Sequence, residues 1–254
     1  MLLHFFSPKG VTNDQENWRA GAPGYGATDS SGFEQATETT TLVKGDQFTS
    51  SYQPFITLEN STTSSSTPEV ELIPTTNSST PTDSWNPNAD DSTSTNSAAF
   101  FWVQPRPYPA SSPCAGNTDS RGCFYADETV TLTVSYNTGS GKAYMTIADP
   151  SNGDEYVASL PYSTATSGAL TTAHLGDVWL AAYDSQTFTA PRRSEDLNSF
   201  TSVTLTDASG HTRPLGDWTH FQRIMTSDGT AQGKTEITPG PLSFDGKSFS
   251  LTVK

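Results

Sequence analysis

Apolar and polar residues alternate in short stretches along the chain, and no stretch of any length has the spacing of an amphipathic helix. The clearest stretch is Thr129–Tyr136, TVTLTVSY, which places Val130, Leu132 and Val134 on one face and threonines on the other. A period of two is typical of a half-buried β-strand. By the same criterion, further strands are predicted over 33–43, 55–58, 70–73, 98–104, 142–148, 155–160, 200–206 and 249–253.

The segment Leu175–Asp184, LGDVWLAAYD, departs from alternation because six apolar or aromatic residues follow one another in it. A continuous apolar run of this length, between turn-forming segments, indicates a strand buried on both faces. With roughly ten to fourteen strands in total, the natural architecture is a two-sheet antiparallel β-sandwich. The fold class is therefore all-β, and this segment is predicted to be an inner strand.

The domain organisation follows from the distribution of these strands. A sandwich of 254 residues can form one unit. We expect a flexible leader over 1–16, a single domain over 17–254, and a long polar loop at about 75–97, where apolar residues are scarce.

Charge narrows the range of partners. The chain has 13 Lys and Arg residues against 27 Asp and Glu residues, a formal net charge of −14. Nucleic acids and anionic membrane surfaces require a concentrated basic face, so neither is expected as a partner. No apolar run approaches the length of ~20 residues that a membrane-spanning helix needs. We expect a monomer.

The two cysteines, Cys114 and Cys123, lie close together around a turn-rich segment. This spacing predicts one local disulfide, and hence a secreted, extracellular protein. Asn60 and Asn77 begin glycosylation sequons. A zinc site would need further ligands near the cysteines, and phosphate- and dinucleotide-binding motifs are absent, so no metal and no cofactor are predicted.

Candidate chemistry is limited to carboxylates and scattered histidines. Glu69 and Glu71 are two residues apart on a predicted strand, so both would project from one face and one could become a general acid. The alternative is a solvent-facing pair on an edge strand. His211 and His220 lie on either side of Asp217, which is compatible with a metal site or general base, or with separate surface histidines.

The order of several motifs resembles that of the eqolisins, or glutamic peptidases. Asn17-Trp18 with Ala20-Gly21 is similar to the family's opening Asn-Trp-x-Gly. FITLEN at 55–60, AFFWVQP at 99–105 and the hairpin over 129–155 resemble three successive family strands, and FTSVTLTDASG and FDGKSFSLTVK resemble the closing run. The resemblance covers most of residues 17–254. It implies a concanavalin A-like sandwich and an acid endopeptidase mechanism, in which a glutamate activates water and a glutamine stabilises the oxyanion.

The residues at the family's catalytic positions do not fit that mechanism. The resemblance puts Ala182, or Ala181 if the alignment slides by one residue, where the catalytic glutamate belongs. The glutamine strand falls near Val70–Thr75, which has no glutamine, and Trp102 replaces a supporting glutamate. Only Glu59 keeps an acid at a family acid position. We therefore expect that the glutamate–water mechanism is lost.

The resulting expectation is a secreted, non-catalytic, eqolisin-like protein with a groove on a concave sheet that binds an extended peptide or polysaccharide. Aromatic and apolar residues suit such a groove. The alternative is an acid-active glutamic endopeptidase with re-sited carboxylates, for which Glu71, Glu59 and Glu69 are the candidates. The predicted groove residues are Phe55, Trp102, Gln104, Trp179 and Tyr183.

Overall fold

The protein forms a β-sandwich in the computed structural model. The structure describes residues 14–17, 20–21, 23–42, 51–60, 68–74, 84–91, 99–102, 124–125, 127–151, 153–180, 197–226 and 236–254. In these ranges the elements are eighteen strands, one helical turn (Thr164–Ser167) and one 3-10 turn (Leu215–Asp217). No helix in the described part of the chain has the length and hydropathy needed to cross a bilayer.

The strands are numbered in chain order. They are β1 (Asp14–Asn17), β2 (Ala20–Gly21), β3 (Gly24–Thr28), β4 (Phe33–Thr41), β5 (Ser51–Glu59), β6 (Pro68–Pro74), β7 (Ser84–Asp91), β8 (Ala99–Trp102), β9 (Phe124–Tyr125), β10 (Thr129–Asn137), β11 (Lys142–Asp149), β12 (Asp154–Pro161), β13 (Thr172–Leu180), β14 (Ser199–Asp207), β15 (Thr212–Pro214), β16 (Thr219–Thr226), β17 (Glu236–Pro239) and β18 (Phe249–Val253).

Strand β13 lies in the middle of the first sheet, called sheet A here. It pairs along its whole length with β5 on one edge, and with β3 and β2 on the other. Beyond β5 come β6, β7 and β9, and beyond β3 come β16, β17 and β18. Among the described pairings all are antiparallel except that of β1 with β16. The predicted inner strand is therefore confirmed, although its described part runs over Thr172–Leu180.

The second sheet, called sheet B, has the order β8–β12–β11–β10–β4–β14. Strands β15 and β18 pair with β14 at its far edge. Strand β18 pairs with β14 through Ser250 and with β17 through Leu251, so it joins the two sheets. The two-sheet antiparallel architecture predicted from alternation is confirmed.

The alternation on β10 separates the core from the outer surface of sheet B. Val130, Leu132 and Val134 are completely buried. The intervening threonines pair across to threonines of β4 through hydroxyl hydrogen bonds of 2.9–3.2 Å; the pairs are Thr41–Thr129, Thr39–Thr131 and Thr37–Thr133. Cross-strand hydroxyl pairs stabilise a sheet on the face that does not enter the core.

Two predicted irregular regions contain strands. Ser84–Asp91 forms β7 inside the loop predicted over 75–97, and Asp14–Asn17 forms β1 inside the leader predicted over 1–16. Strand β7 pairs over seven residues with β6, from Pro68–Asp91 to Pro74–Trp85. These segments are paired through their backbones, although their sequences lack an apolar period.

Gly24 and Gly176 face each other where β3 meets β13, and their backbones approach too closely for side chains. Both have positive φ, +156° and +139°. A Cβ on Gly176 would lie 2.5 Å from the carbonyl oxygen of Pro23 and 2.9 Å from Cα of Gly24. Glycine is required because it alone lacks the atom that would collide.

Two carboxylates are buried between the sheets. Glu38 of β4 and Asp177 of β13 are both completely buried, and Nδ2 of Asn198 donates to Oδ1 of Asp177 at 2.8 Å. Burial raises the pKa of the Glu38 carboxyl well above 4.5, and the charge of Asp177 raises it further. A hydrogen bond from the backbone amide of Gly176 offsets only part of this increase in pKa. The inner faces of the sheets therefore hold a carboxyl that favours its protonated form.

We expect Gly176→Ala to destabilise the protein more than Gly210→Ala. Both glycines have positive φ, so alanine at either position introduces backbone strain of about 1–3 kcal/mol. A Cβ at Gly210 meets no atom within 4 Å, whereas one at Gly176 collides with backbone atoms. Urea unfolding measures the difference. Equal losses in the two variants would contradict the steric role of Gly176.

We expect Glu38→Gln to gain stability over the natural protein as the pH rises. The pKa of Glu38 is higher in the folded than in the unfolded state, so its proton favours folding below about 4.5. That contribution is lost as the pH rises from 4.5 through the folded pKa, whereas glutamine stays neutral throughout. The measurement is the free energy of unfolding from pH 3 to pH 8. This range begins below the ordinary carboxyl pKa of about 4 and ends well above it.

The control for this comparison is Glu34→Gln, which changes a partly exposed glutamate on the same strand. A stability gap between Glu38→Gln and the natural protein that stayed constant with pH would argue against the buried proton.

Candidate functional site

The candidate site lies on the outer face of sheet A, the face turned away from sheet B. Strands β5, β13, β3 and β16 are neighbours there, in that order. On β13, Ala173, Leu175 and Asp177 face the core, so His174 faces outward. The same alternation sends Glu59 of β5 and Arg223 of β16 to the outer face, because Leu58 and Gln222 are directed inward.

His174 connects the carboxylate and the guanidinium. Its Nε2 lies 3.3 Å from Oε2 of Glu59, and its Nδ1 is in hydrogen-bond contact with Nη1 of Arg223. A guanidinium can only donate, so Nδ1 must accept and Nε2 must carry the proton that points to Glu59. The three side chains form a row across three strands, with the negative and positive groups at opposite ends.

The surroundings fix the charge of Glu59. Burial raises the pKa of this carboxyl, but the interactions with His174, above all its hydrogen bond, and the positive charge of Arg223 outweigh burial and hold the pKa below 4.5. About 35% of the Glu59 side chain is exposed, against 11% for His174. Glu59 is therefore a partly accessible carboxylate whose charged form its neighbours favour.

An aromatic ring lies beside this row. A Cβ on Gly26 would be only 2.1 Å from the ring of Phe221, so the ring packs directly over the backbone of β3. Phe221 also meets His174 edge-on, with ring centroids 6.1 Å apart. The half-buried ring of Phe221 offers an apolar surface next to two charged groups.

The predicted carboxylates on β6 come close to this row through the strand register. Glu71 pairs with Phe55, and Glu69 pairs with Thr57, across β5 and β6. Phe55 also pairs with Gly176 of β13, and its side chain is 8% exposed. The structure thus brings together the backbones of Phe55, Glu69 and Glu71 with that of Glu59.

The predicted groove residues Trp102 and Trp179 do not share a sheet. Trp179 belongs to β13 and pairs with Tyr52 and Gly21 in sheet A. Trp102 belongs to β8 and pairs with Tyr156 in sheet B. The two strands therefore belong to different sheets, and the predicted groove stays a prediction.

Other predicted residues lie outside the described ranges. They are Ala181, Ala182, Tyr183, Gln104, Cys114, Cys123 and Asn77. The predictions for the catalytic position, the disulfide and the second sequon therefore stay predictions. Asn60 directly follows β5 and is partly buried, with its amide nitrogen against Gly168.

His174 and Arg223 were missed by reasoning from the sequence, because His174 alternates with Ala173 and Leu175 as an ordinary strand residue does and no local motif marks Arg223. They are 49 residues apart and meet only through the register of β13, β3 and β16. The predicted neighbours His211 and His220 do not form one site. His211 is exposed and lies 3.6 Å from Asp207, whereas His220 contacts the backbone of Trp218.

Three solved structures that resemble this chain are those of peptidases. No protein-family model matches the chain, and neither does any curated protein. Two solved structures of scytalido-glutamic peptidase, with a transition-state analogue inhibitor and with a peptide-based analogue, match at 11% and 13% identity and TM-scores of 0.52 and 0.54. A third structure, SCP-B of the eqolisin family with the tripeptide Ala-Ile-His, matches at 10% identity and a TM-score of 0.53.

Each of these matches covers 92% of this chain and 98% of the other chain. At such low identity the agreement concerns the path of the backbone and not the identity of the site residues. The chain therefore has a distant form of the eqolisin fold.

Proposed function

We propose that this protein is a non-catalytic relative of the glutamic peptidases that binds an extended peptide on the outer face of sheet A. The observation that carries the proposal is the row Glu59–His174–Arg223. Its carboxylate is already hydrogen-bonded to an imidazole, and its guanidinium is already bound to the same ring. Such a row presents fixed charges to a ligand, and its three side chains include no neutral carboxylic acid that could protonate a leaving group.

The position of Glu38, whose pKa is strongly raised, also supports a non-catalytic protein. Glu38 is completely buried between the sheets and pairs through its backbone with Leu132 of sheet B. A general acid must come within about 3 Å of the reacting group, which a side chain sealed inside the core cannot do. Glu59 is thus accessible but has surroundings that favour its charged form, whereas Glu38 favours its protonated form but is inaccessible.

A peptide suits this face better than a polysaccharide. The charges of Glu59 and Arg223 can attract the two ends of a dipolar chain or the charged side chains of a peptide. Phe221 provides an apolar surface for one of its side chains. One structural neighbour holds a tripeptide and another a peptide-based analogue, which is compatible with a sheet face that receives extended chains. We further propose that this binding takes place outside the cell.

The alternative is an acid endopeptidase with re-sited carboxylates. It is favoured by the register that places Glu69 and Glu71 opposite Thr57 and Phe55, on the strand next to that of Glu59. Carboxylates on neighbouring strands can share a proton and activate water.

A cleavage assay separates the two functions. The protein is incubated with a denatured protein over about pH 2 to 5, where carboxyl groups titrate, and fragments are followed by mass spectrometry. We expect no cleavage from the natural protein, nor from Glu59→Gln, Glu69→Gln or Glu71→Gln. Cleavage that Glu59→Gln or Glu71→Gln abolishes, and that the control Glu34→Gln retains, would establish the peptidase instead.

A binding assay tests the proposed ligand directly. We expect Arg223→Gln and Glu59→Gln to weaken binding of labelled, unstructured decapeptides by about tenfold, since hydrogen bonds to charged groups contribute ~1.5–3 kcal/mol. Fluorescence anisotropy gives the affinity, and thermal unfolding confirms that each variant is folded. Binding of oligosaccharides in place of peptides, or peptide affinities unchanged in both variants, would refute the proposal.

A further inference from the structure

A cavity lies on the opposite face of β3 and β16 from the Glu59–His174–Arg223 row. Its volume is about 420 Å³, and it opens between these strands and the segment 240–248 that precedes β18. The side chains that matter to its chemistry are Tyr25, Asp217, His220, Gln222, Phe244 and Asp245. Tyr25 pairs with Gln222, and Ala27 pairs with His220. Successive side chains on a strand point to opposite faces, so these side chains lie on the face opposite to Arg223.

The hydrogen-bond donors of this cavity are used within the protein. The hydroxyl of Tyr25 donates to the carbonyl of Gly240 at 2.8 Å. Nε2 of Gln222 donates to the carbonyl of Pro239 at 3.1 Å and to Oη of Tyr25 at 3.3 Å. Nδ1 of His220 lies 2.9 Å from the carbonyl of Trp218, which can only accept, so this nitrogen carries the proton.

The side-chain atoms available to a ligand in this cavity are hydrogen-bond acceptors. Nε2 of His220 and Oε1 of Gln222 are lone-pair atoms in this arrangement. Asp217 and Asp245 add two exposed carboxylates. The hydroxyl of Ser243 donates to Oδ1 of Asp245 at 2.6 Å, and this bond, followed by that from the backbone of Lys247, lowers the pKa of Asp245. The cavity is thus anionic and accepts hydrogen bonds.

An aromatic ring stands at the edge of the cavity. Phe244 is fully exposed, and it is the one large hydrophobic residue with this exposure in the described ranges. Its loop is nevertheless closely bonded: the backbone amides of Ser243 and Gly246 donate to the carbonyls of Ser248 and Ser243 at 2.8 and 2.9 Å. An exposed ring on an ordered loop loses little conformational entropy when a ligand covers it.

The base of the loop is fixed by two glycines. The amide of Gly216 donates to the carbonyl of Gly246 at 3.1 Å. A Cβ on either glycine would lie within 3.0 Å of the Cα of the other. This contact holds the loop, and with it Phe244, against the turn that carries Asp217.

We propose that this cavity binds the side chain of an arginine or lysine in a peptide or protein. A guanidinium or ammonium group brings only donors and a positive charge, which complements carboxylates and lone pairs. The face of Phe244 can add a cation–π contact, which favours the same groups. A sugar is less suitable, because its hydroxyls also need donors from the protein and those of the lining side chains are already used.

The test uses the whole chain and a short Gly/Ser peptide with one central arginine. Its partner peptide carries citrulline, which keeps the shape of arginine but has no charge. We expect the arginine peptide to shift the backbone amide signals of residues 216–222 and 240–248 in NMR spectra. The citrulline peptide should bind at least about tenfold more weakly, because charge-assisted hydrogen bonds are lost.

Variants assign the effect to named side chains. Asp217→Asn and Phe244→Leu should each weaken the arginine peptide about two- to fivefold, the range of an exposed ion pair or cation–π contact. Phe244→Leu retains an apolar group, and the fully exposed position makes misfolding no concern. Glu34→Gln is the matched charge control and should bind like the natural protein.

Three outcomes would overturn the proposal: equal binding of the arginine and citrulline peptides, unchanged affinity in both variants, or signal shifts confined to the strands of Glu59, His174 and Arg223. The last would assign the peptide to the outer face and leave the proposed function standing. Argininamide without a peptide, if it shifts the same signals as tightly, would support a site that recognises the side chain alone.

Discussion

The two-sided pairing of β13 is the constraint on which the rest of the structure depends. With β5 on one edge and β3 and β2 on the other, this strand sets the register of sheet A. It also supplies a residue to each face, because His174 enters the outer row and Asp177 enters the core beside Glu38. The contact between Gly24 and Gly176 lets the pairing continue where two side chains would collide.

Much of the fold could be predicted from the sequence, because the information on a strand is local. Val130, Leu132 and Val134 alternate with threonines, and this alone separates the core from the surface. Strand β7 has no such alternation in its sequence. It is a strand because its backbone pairs with that of β6, which the sequence does not reveal. The site was less predictable, because His174 and Arg223 come into contact only through the register of strands that are distant in sequence.

Two glutamates of this fold lie in environments that favour opposite protonation states. Glu59 has cationic and hydrogen-bonding neighbours that favour its charged form, whereas Glu38 has an apolar core and a second carboxylate that favour its neutral form. Acid catalysis needs a group that is accessible and can change its protonation state during the reaction. The path of the backbone, which this protein shares with the eqolisins, specifies neither property.

The contact between Gly216 and Gly246 makes the base of the 240–248 loop intolerant of substitution, in contrast to its tip. Any side chain at either glycine would force two backbone segments apart, so the base of the loop is closed to single substitutions. Phe244, two residues away, touches so little that its replacement leaves the packing intact. The tip of the loop can therefore be substituted at almost no energetic cost, whereas the base that presents it cannot.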